Sequence, residues 1–327
     1  MPDAPRSDPL ALVRSWRDEA QRADPAPRWL IDTLAPDPAA AMLYAPAGVG
    51  KTWLAMELAR ALAQGARFLA WEVPRSRRVL YVDGEMTAAT IRRRIAFLCG
   101  GGVPEGVDLV SLEAAWRARG RALNLAGARD QALVMELVAA LARRGRRPDL
   151  IIFDNLSSLV RGIDESSNSG LDGVLAWIAA LRVHGLSTLQ IHHAGKVLDL
   201  GQRGASRRTD QLDTVIRLRR ARVPRVGAGT AFDLSVEKHR HGSPRPARLR
   251  VTLTDDAGRA RWEWEALGDD DKPPAPSAGV RRVLAYLAEH APTSRNALAE
   301  ALGIDRSNAR RWLQAAREMG WVEEGAL

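Results

Sequence analysis

Tyr44-Ala45-Pro46-Ala47-Gly48-Val49-Gly50-Lys51-Thr52 is the stretch on which the reading of the whole chain turns. The apolar run Ala41-Met42-Leu43-Tyr44 that enters it has the length of a short buried strand. Leu54, Leu58, Ala61 and Leu62 beyond it fall on one face of a helix. A glycine loop between strand and helix is a cradle for phosphate. Gly48 and Gly50 let the backbone close around an anion, successive N–H groups turn inward, and the positive end of the helix adds attraction. The motif predicts that Ala47, Gly48, Val49, Gly50, Lys51, Thr52 and Trp53 hold ATP, with Lys51 on the β- and γ-phosphates and the Thr52 hydroxyl on Mg2+. Ala45 stands where the pattern G-x-x-x-x-G-K-[ST] has its first glycine; this residue opens the loop and does not itself meet phosphate. An ordinary glycine turn is the simpler alternative, and the flanking strand and helix weigh against it.

Outward from the loop, strand and helix patterns alternate. Residues 78–83 form a second apolar run, ended by Gly84-Glu85-Met86, and residues 87–98 read as a helix with Thr87 as cap and Ile91, Ile95 and Leu98 on one face. Asp130 is expected to cap the next helix, in which Leu133, Leu137, Val138 and Leu141 recur until Gly145. Residues 149–154 are the most continuous buried-strand pattern, followed by a helix over 171–184 and a strand over 187–192. This alternation predicts an α/β fold with a mainly parallel central sheet covered on both faces, its ligands at the carboxyl ends of the strands. After Thr209, segments 213–219, 230–237, 248–254 and 260–265 alternate apolar and polar and predict an antiparallel extension of that sheet.

Two acids end predicted strands. Asp154 lies where a phosphate-loop NTPase keeps its second Mg2+-associated group, so Thr52 and Asp154 form the expected metal pair. In AAA+ proteins a glutamate commonly follows that aspartate, but here the next residue is Asn155. Glu85 is therefore the candidate for activating water, an arrangement of the RecA-like class; its competing role is to cap the helix that starts near Thr87.

Composition sets outer limits. The 327 residues suit one large α/β domain and a small accessory one, and 46% hydrophobic residues suffice for a core. With 48 Lys+Arg against 39 Asp+Glu, the net charge of +9 favours a polyanionic partner such as DNA, arginine-rich codon usage being the plainer explanation. One cysteine, Cys99, excludes an internal disulfide and fits a reducing cytoplasm. No apolar run reaches the ~18 residues of a membrane span, so a soluble cytoplasmic protein is expected.

Residues 45–52, the strand 79–85, residues 151–155, Ile191-His192-His193-Ala194-Gly195-Lys196 and Gly204-Ala205-Ser206-Arg207 occur in the order found in RepA-type plasmid hexameric helicases, which the chain resembles over residues 28–245. The resemblance implies a RecA-like ATPase domain over residues 28–267, behind an arm of residues 1–27 that carries an amphipathic helix candidate at 10–23. It implies that His193, with His192, senses the γ-phosphate or couples it to DNA-facing loops, a satisfied core histidine being the alternative. Arg207 matches the residue that reaches a neighbouring subunit's ATP as an arginine finger. Glu237-Lys238-His239-Arg240-His241-Gly242 is similar to the Lys-x-Arg-x-Gly element of DnaB-type helicases, so Lys238 and Arg240 compete with Arg207 for that task or share it. Lys196, Arg203 and Arg208 lie in segments expected to face a central channel, where basic flexible loops suit sequence-blind contact with single-stranded DNA. A homo-oligomer, a hexamer in the family, is implied.

Residues 268–278, rich in Asp and Pro, read as a linker to a small domain over residues 279–327. There Val280, Val283, Leu284 and Leu287 form one helical face, Ser294 caps a second helix and a third starts near Asp305, the pattern of a winged helix-turn-helix. Arg306, Asn308, Arg310 and Arg311 would meet base edges of duplex DNA, with protein contact as the alternative use. The family's small helicases lack such an appendage, so the resemblance stops here. The chain as a whole is expected to be an ATP-hydrolysing motor on single-stranded DNA, the competing expectation being an ATP-switched DNA-binding regulator of a mobile element.

Overall fold

A computed structural model describes residues 10, 13–21, 28–162, 168–193, 211–221, 229–268, 276–290, 294–318 and 322. Lys196, Arg203, Arg207 and Arg208 fall outside the described residues, as does most of the expected linker. After a five-residue helix α1 (Trp16–Ala20), a small antiparallel pair β1 (Trp29–Ile31) and β2 (Ala35–Pro36) leads into the phosphate-loop strand β3 (Ala40–Ala45) and its helix α2 (Lys51–Gln64). Next come β4 (Val79–Asp83), α3 (Ala88–Cys99), β5 (Val107–Val110), α4 (Leu112–Arg119), α5 (Ala128–Arg143), β6 (Leu150–Asp154), α6 (Leu156–Leu159) and α7 (Asn168–Ala180). The sheet is completed by β7 (Ser187–His193), β8 (Thr214–Arg220), β9 (Thr230–His239), β10 (Arg248–Asp256) and β11 (Arg259–Ala266).

The nine strands lie in the order β11-β10-β9-β8-β3-β7-β6-β4-β5. Six are parallel, from β8 to β5. β7 stands between the phosphate-loop strand and the Asp154 strand, and the β4 strand carrying Asp83 lies directly beside β6, the RecA-like arrangement. The interior strands bury both faces because their side chains alternate between two apolar clusters. Ile152 joins Leu54, Leu58 and Leu62 of α2 on one face, while Ile151 and Phe153 join Val134 and Val138 of α5 and Ile178 of α7 on the other. All three β6 residues are fully buried, and each contributes roughly 1.5–3 kcal/mol by leaving water.

The structure corrects three expectations and adds two elements. Strand β8 is parallel to β3, with Ala41 opposite Thr214 and Tyr44 opposite Arg217, so the antiparallel extension begins only at β9. Alternation of apolar and polar residues reports a half-buried strand but not its direction. Asp130 does not cap α5: Gly127 holds that position, and the Asp130 carboxylate instead receives Arg119, Arg121 and the Asn124 N–H. Among the described residues of the arm, the α-helix is confined to the single turn of α1, capped by Ser15 with Trp16 94% exposed, and the rest of the expected helix 10–23 lies partly outside the described residues. Finally, β5 and α4 fill a region in which no element was expected.

Three further helices, α8 (Ala278–Glu289), α9 (Arg295–Leu302) and α10 (Arg306–Glu318), pack around Val283, Leu284, Leu298, Leu313 and Val322. Ser277 and Ser294 cap the first two. Among the described residues no helix is long and apolar enough to cross a membrane.

Candidate functional site

At the carboxyl ends of β3, β4, β6 and β7 an open cavity of about 540 Å³ is lined by the glycine loop, Thr52, Glu85, Asp154, Asn155 and His193, a size that suits a nucleotide. Gly48 and Gly50 adopt φ of 74° and 118°, which side chains with a Cβ rarely tolerate. At Gly50 a Cβ would also stand 3.1 Å from the Phe232 ring. Lys51, the first residue of α2, is buried, and its ammonium donates to the carbonyls of Ala45 at 2.8 Å and Pro46 at 2.9 Å. It also meets His193 Nδ1 at 3.2 Å.

The expected acids converge on this loop. Thr52 Oγ1 donates to Asp154 Oδ1 at 3.3 Å, and the buried Tyr81 hydroxyl donates to Asp154 Oδ2 at 2.5 Å. Burial raises Asp154 above the ordinary carboxylate range, opposed by the hydrogen bonds from Tyr81 and Thr52. Glu85 enters the cavity one residue past the neighbouring Gly84, and its Oε2 accepts from the Asn155 amide. Asn155 Nδ2 also lies 3.1 Å from His193 Nε2, so Lys51, His193, Asn155 and Glu85 form one continuous chain of contacts.

Oxygen donors of this kind fit a hard divalent cation. Among the described residues no group of three or more His, Cys, Asp or Glu side chains is placed to hold a metal. One hydroxyl and one carboxylate completed by substrate phosphates is the usual manner of Mg2+.

A family model described as an AAA domain matches residues 6–199, more than half of the chain and including β3, β4, β6 and β7, whose carboxyl ends line the cavity. The chain belongs to the AAA domain family. A second model, an IclR helix-turn-helix domain, matches residues 281–325, over α8 to α10. No curated protein matches the chain. Solved structures similar to it include the flagellar accessory protein FlaH from Methanocaldococcus jannaschii, at 16% identity over 70% of this chain and 91% of that one with a TM-score of 0.49. Another is a KaiC-like protein from Pyrococcus horikoshii OT3, at 15% identity over 72% and 93% with a TM-score of 0.47. The AAA match, the phosphate loop and the strand order make the molecule a P-loop ATPase with a RecA-like core, and the second match adds a C-terminal helix-turn-helix.

To the expected Trp53 the structure adds Asp83, Arg94, Thr230 and Arg220, which the sequence reading missed. Asp83, opposite Asp154 in the β4–β6 register, accepts from the Met86 N–H and is pushed up to about 7, chiefly by burial and by the nearby Asp154 and Glu85 charges. Trp53 and Arg94 line one side of the cavity with the guanidinium 4.7 Å over the indole. Thr230 Oγ1 donates to the Val49 carbonyl at 3.3 Å, and a Cβ at Gly48 would stand 3.9 Å from Arg220 Nη2, so the ends of β8 and β9 flank the loop. Apart from Trp53, which follows the glycine loop directly, none of these carries a motif.

Other expected residues are placed elsewhere. Lys238 and Arg240 lie at the far end of β9: Lys238 pairs with Val215, and the Arg240 guanidinium donates to the Leu212 carbonyl at 3.1 Å. His192 turns its Nδ1 to the His193 carbonyl. On α10, Arg306, Arg310 and Arg311 are exposed. The Asn308 amide is engaged with Asp305 and with Arg311, whose Nη2 donates to Oδ1 at 2.6 Å.

Proposed function

We propose that the chain is an ATP-hydrolysing, DNA-dependent motor of the RepA-like helicase type, acting on single-stranded DNA as a homo-oligomer, a hexamer by that likeness. The supporting observation is the convergence of Lys51, Thr52, Glu85, Asp154 and His193 on one cavity from four separate strands. Lys51 and the loop N–H groups bind the phosphates, and Glu85 orients the attacking water. Thr52 and Asp154 would hold Mg2+, whose chemistry is to neutralise charge on the phosphate oxygens. Trp53 and Arg94 offer a flat cationic wall against which a nucleobase can stack. The helix-turn-helix presents Arg306 and Arg310 to duplex DNA.

A second reading is favoured by that same exposed arginine face: an ATP-switched DNA-binding regulator without unwinding activity. ATP turnover with and without single-stranded DNA, measured beside strand separation on a forked duplex, discriminates between them. Stimulated turnover with unwinding is the expected result. Stimulation without unwinding selects the regulator, and turnover that Lys51→Ala leaves intact sinks both.

A further inference from the structure

His193 sits between two groups that can only donate. Its Nδ1 faces the Lys51 ammonium at 3.2 Å and its Nε2 faces the Asn155 amide nitrogen at 3.1 Å. The orientation of that amide is set independently: Asn155 Oδ1 accepts the Ser158 N–H at 2.8 Å, capping α6, and Nδ2 donates to Glu85. A neutral imidazole offers one acceptor and one N–H, so it satisfies one neighbour and turns N–H against N–H toward the other. With the proton on Nε2 the ring accepts from Lys51 and opposes Asn155. With the proton on Nδ1 it accepts from Asn155 and opposes Lys51.

Phosphate resolves the conflict in one direction. The Lys51 ammonium is engaged by the Ala45 and Pro46 carbonyls and by His193, so a phosphate oxygen competes with these three for its N–H bonds. His193 is the side-chain acceptor among the three, and once released its Nδ1–H can donate to the phosphate. Nε2 then accepts from Asn155, which is held at both ends, by His193 and by the α6 cap, while its remaining N–H holds Glu85.

We propose that Asn155 is a positioning residue for Glu85, and that the His193 tautomer makes its grip depend on phosphate at Lys51. This deepens the ATPase reading and rests on it. The residue after a strand-end aspartate thereby acquires a task distinct from capping α6.

Two substitutions separate the tasks. Asn155→Ser and Asn155→Asp both keep a side-chain oxygen suited to capping, but the serine has no amide to reach Glu85 and the aspartate sets an oxygen against its carboxylate. The expected result is wild-type melting and ATP affinity in both, kcat lowered about 10- to 100-fold in Asn155→Ser, and a larger loss in Asn155→Asp. Asn155→Ser combined with His193→Ala should lose less than the product of the single losses, since the two residues act as one unit. Wild-type kcat in both single variants overturns the proposal, and losses that multiply remove the His193 coupling from it. A wild-type protein that turns over no ATP overturns the ATPase reading and this inference together, so the two failures are told apart by the parent enzyme.

Discussion

Replacing Tyr81 by Phe removes one hydroxyl, and its consequence can be followed to the Mg2+ that Thr52 and Asp154 are proposed to hold. The hydroxyl donates to Asp154 Oδ2 at 2.5 Å, in a setting where Tyr81 and Asp154 are 4% and 3% exposed. Burial pushes Asp154 toward its neutral form, and the Tyr81 hydrogen bond is the first of the forces opposing that push. A hydrogen bond to a charged group contributes ~1.5–3 kcal/mol, which at about 1.36 kcal/mol per tenfold makes the ionised carboxylate roughly 10- to 150-fold less favoured. Only the ionised form serves as a ligand. Tyr81→Phe should therefore raise the Mg2+ concentration for half-maximal ATP turnover by about 10- to 100-fold, with turnover largely recovered at saturating Mg2+. Raising the pH should lower that midpoint again, because deprotonation of Asp154 is what the missing donor has made harder. A Mg2+ titration of ATP hydrolysis at two pH values reads both effects. A lower melting temperature with an unchanged Mg2+ midpoint would mean that Tyr81 is a packing residue and that the link to the metal is mistaken.

Glu85→Gln keeps the shape of the side chain but removes its basicity; ATP should bind as in the parent while turnover falls ~10²- to 10⁴-fold, read by equilibrium binding beside single-turnover hydrolysis. Burial alone would raise Asp130, but hydrogen bonds from Arg121, Arg119 and the Asn124 N–H outweigh it and hold the carboxyl below its ordinary range. Its stabilisation is thus present above the unfolded-state value of about 4 and lost as pH falls below it, so urea unfolding of Asp130→Asn should show lower stability at neutral pH and a shallower decline into acid. A Cβ on Gly279 would lie 2.1 Å from the Trp312 ring; Gly279→Ala should destabilise the helix-turn-helix by ~1–3 kcal/mol, seen as faster hydrogen exchange over residues 278–318 and weaker duplex binding.

Local chemistry was the legible part of this chain. A glycine loop between an apolar run and a helical face, Thr87 and Ser294 as caps, and acids at strand ends are features that neighbours in sequence impose on one another, and the structure contains each of them. The illegible part is whatever depends on strand order. Tyr81 meets Asp154 across 73 positions and Asn155 meets Glu85 across 70, and no local pattern marks either pair. Val107–Val110 is too short for its periodicity to stand out between Gly106 and Ser111. Asp130 was misread for a related reason: an acid near a helix start suits a cap, and only folding shows that two arginines from the preceding segment claim it.

The direction of β8 has the widest consequence. Because it runs with β3, the chain leaves the sheet beside the phosphate loop at Arg220 and returns there at Thr230, while β9 carries Lys238 and Arg240 away. Lys238 pairs with Val215, whose partner on β3 is Met42, three positions before Ala45; at ~3.3 Å per residue its backbone stands roughly 10 Å behind the start of the loop. Arg240 lies farther back and bonds the Leu212 carbonyl. If these cations serve a γ-phosphate, a second copy of the chain must own it, through a heterologous contact repeated around a ring. Mixed assembly tests this directly. Lys51→Ala and Lys238→Ala/Arg240→Ala subunits, each inactive alone, should regain about a quarter of parental turnover when mixed equally, since one interface in four then joins an intact loop to intact donors. Action within one chain predicts no recovery at any ratio, and that outcome would return Lys238 and Arg240 to the role of a solvated strand end.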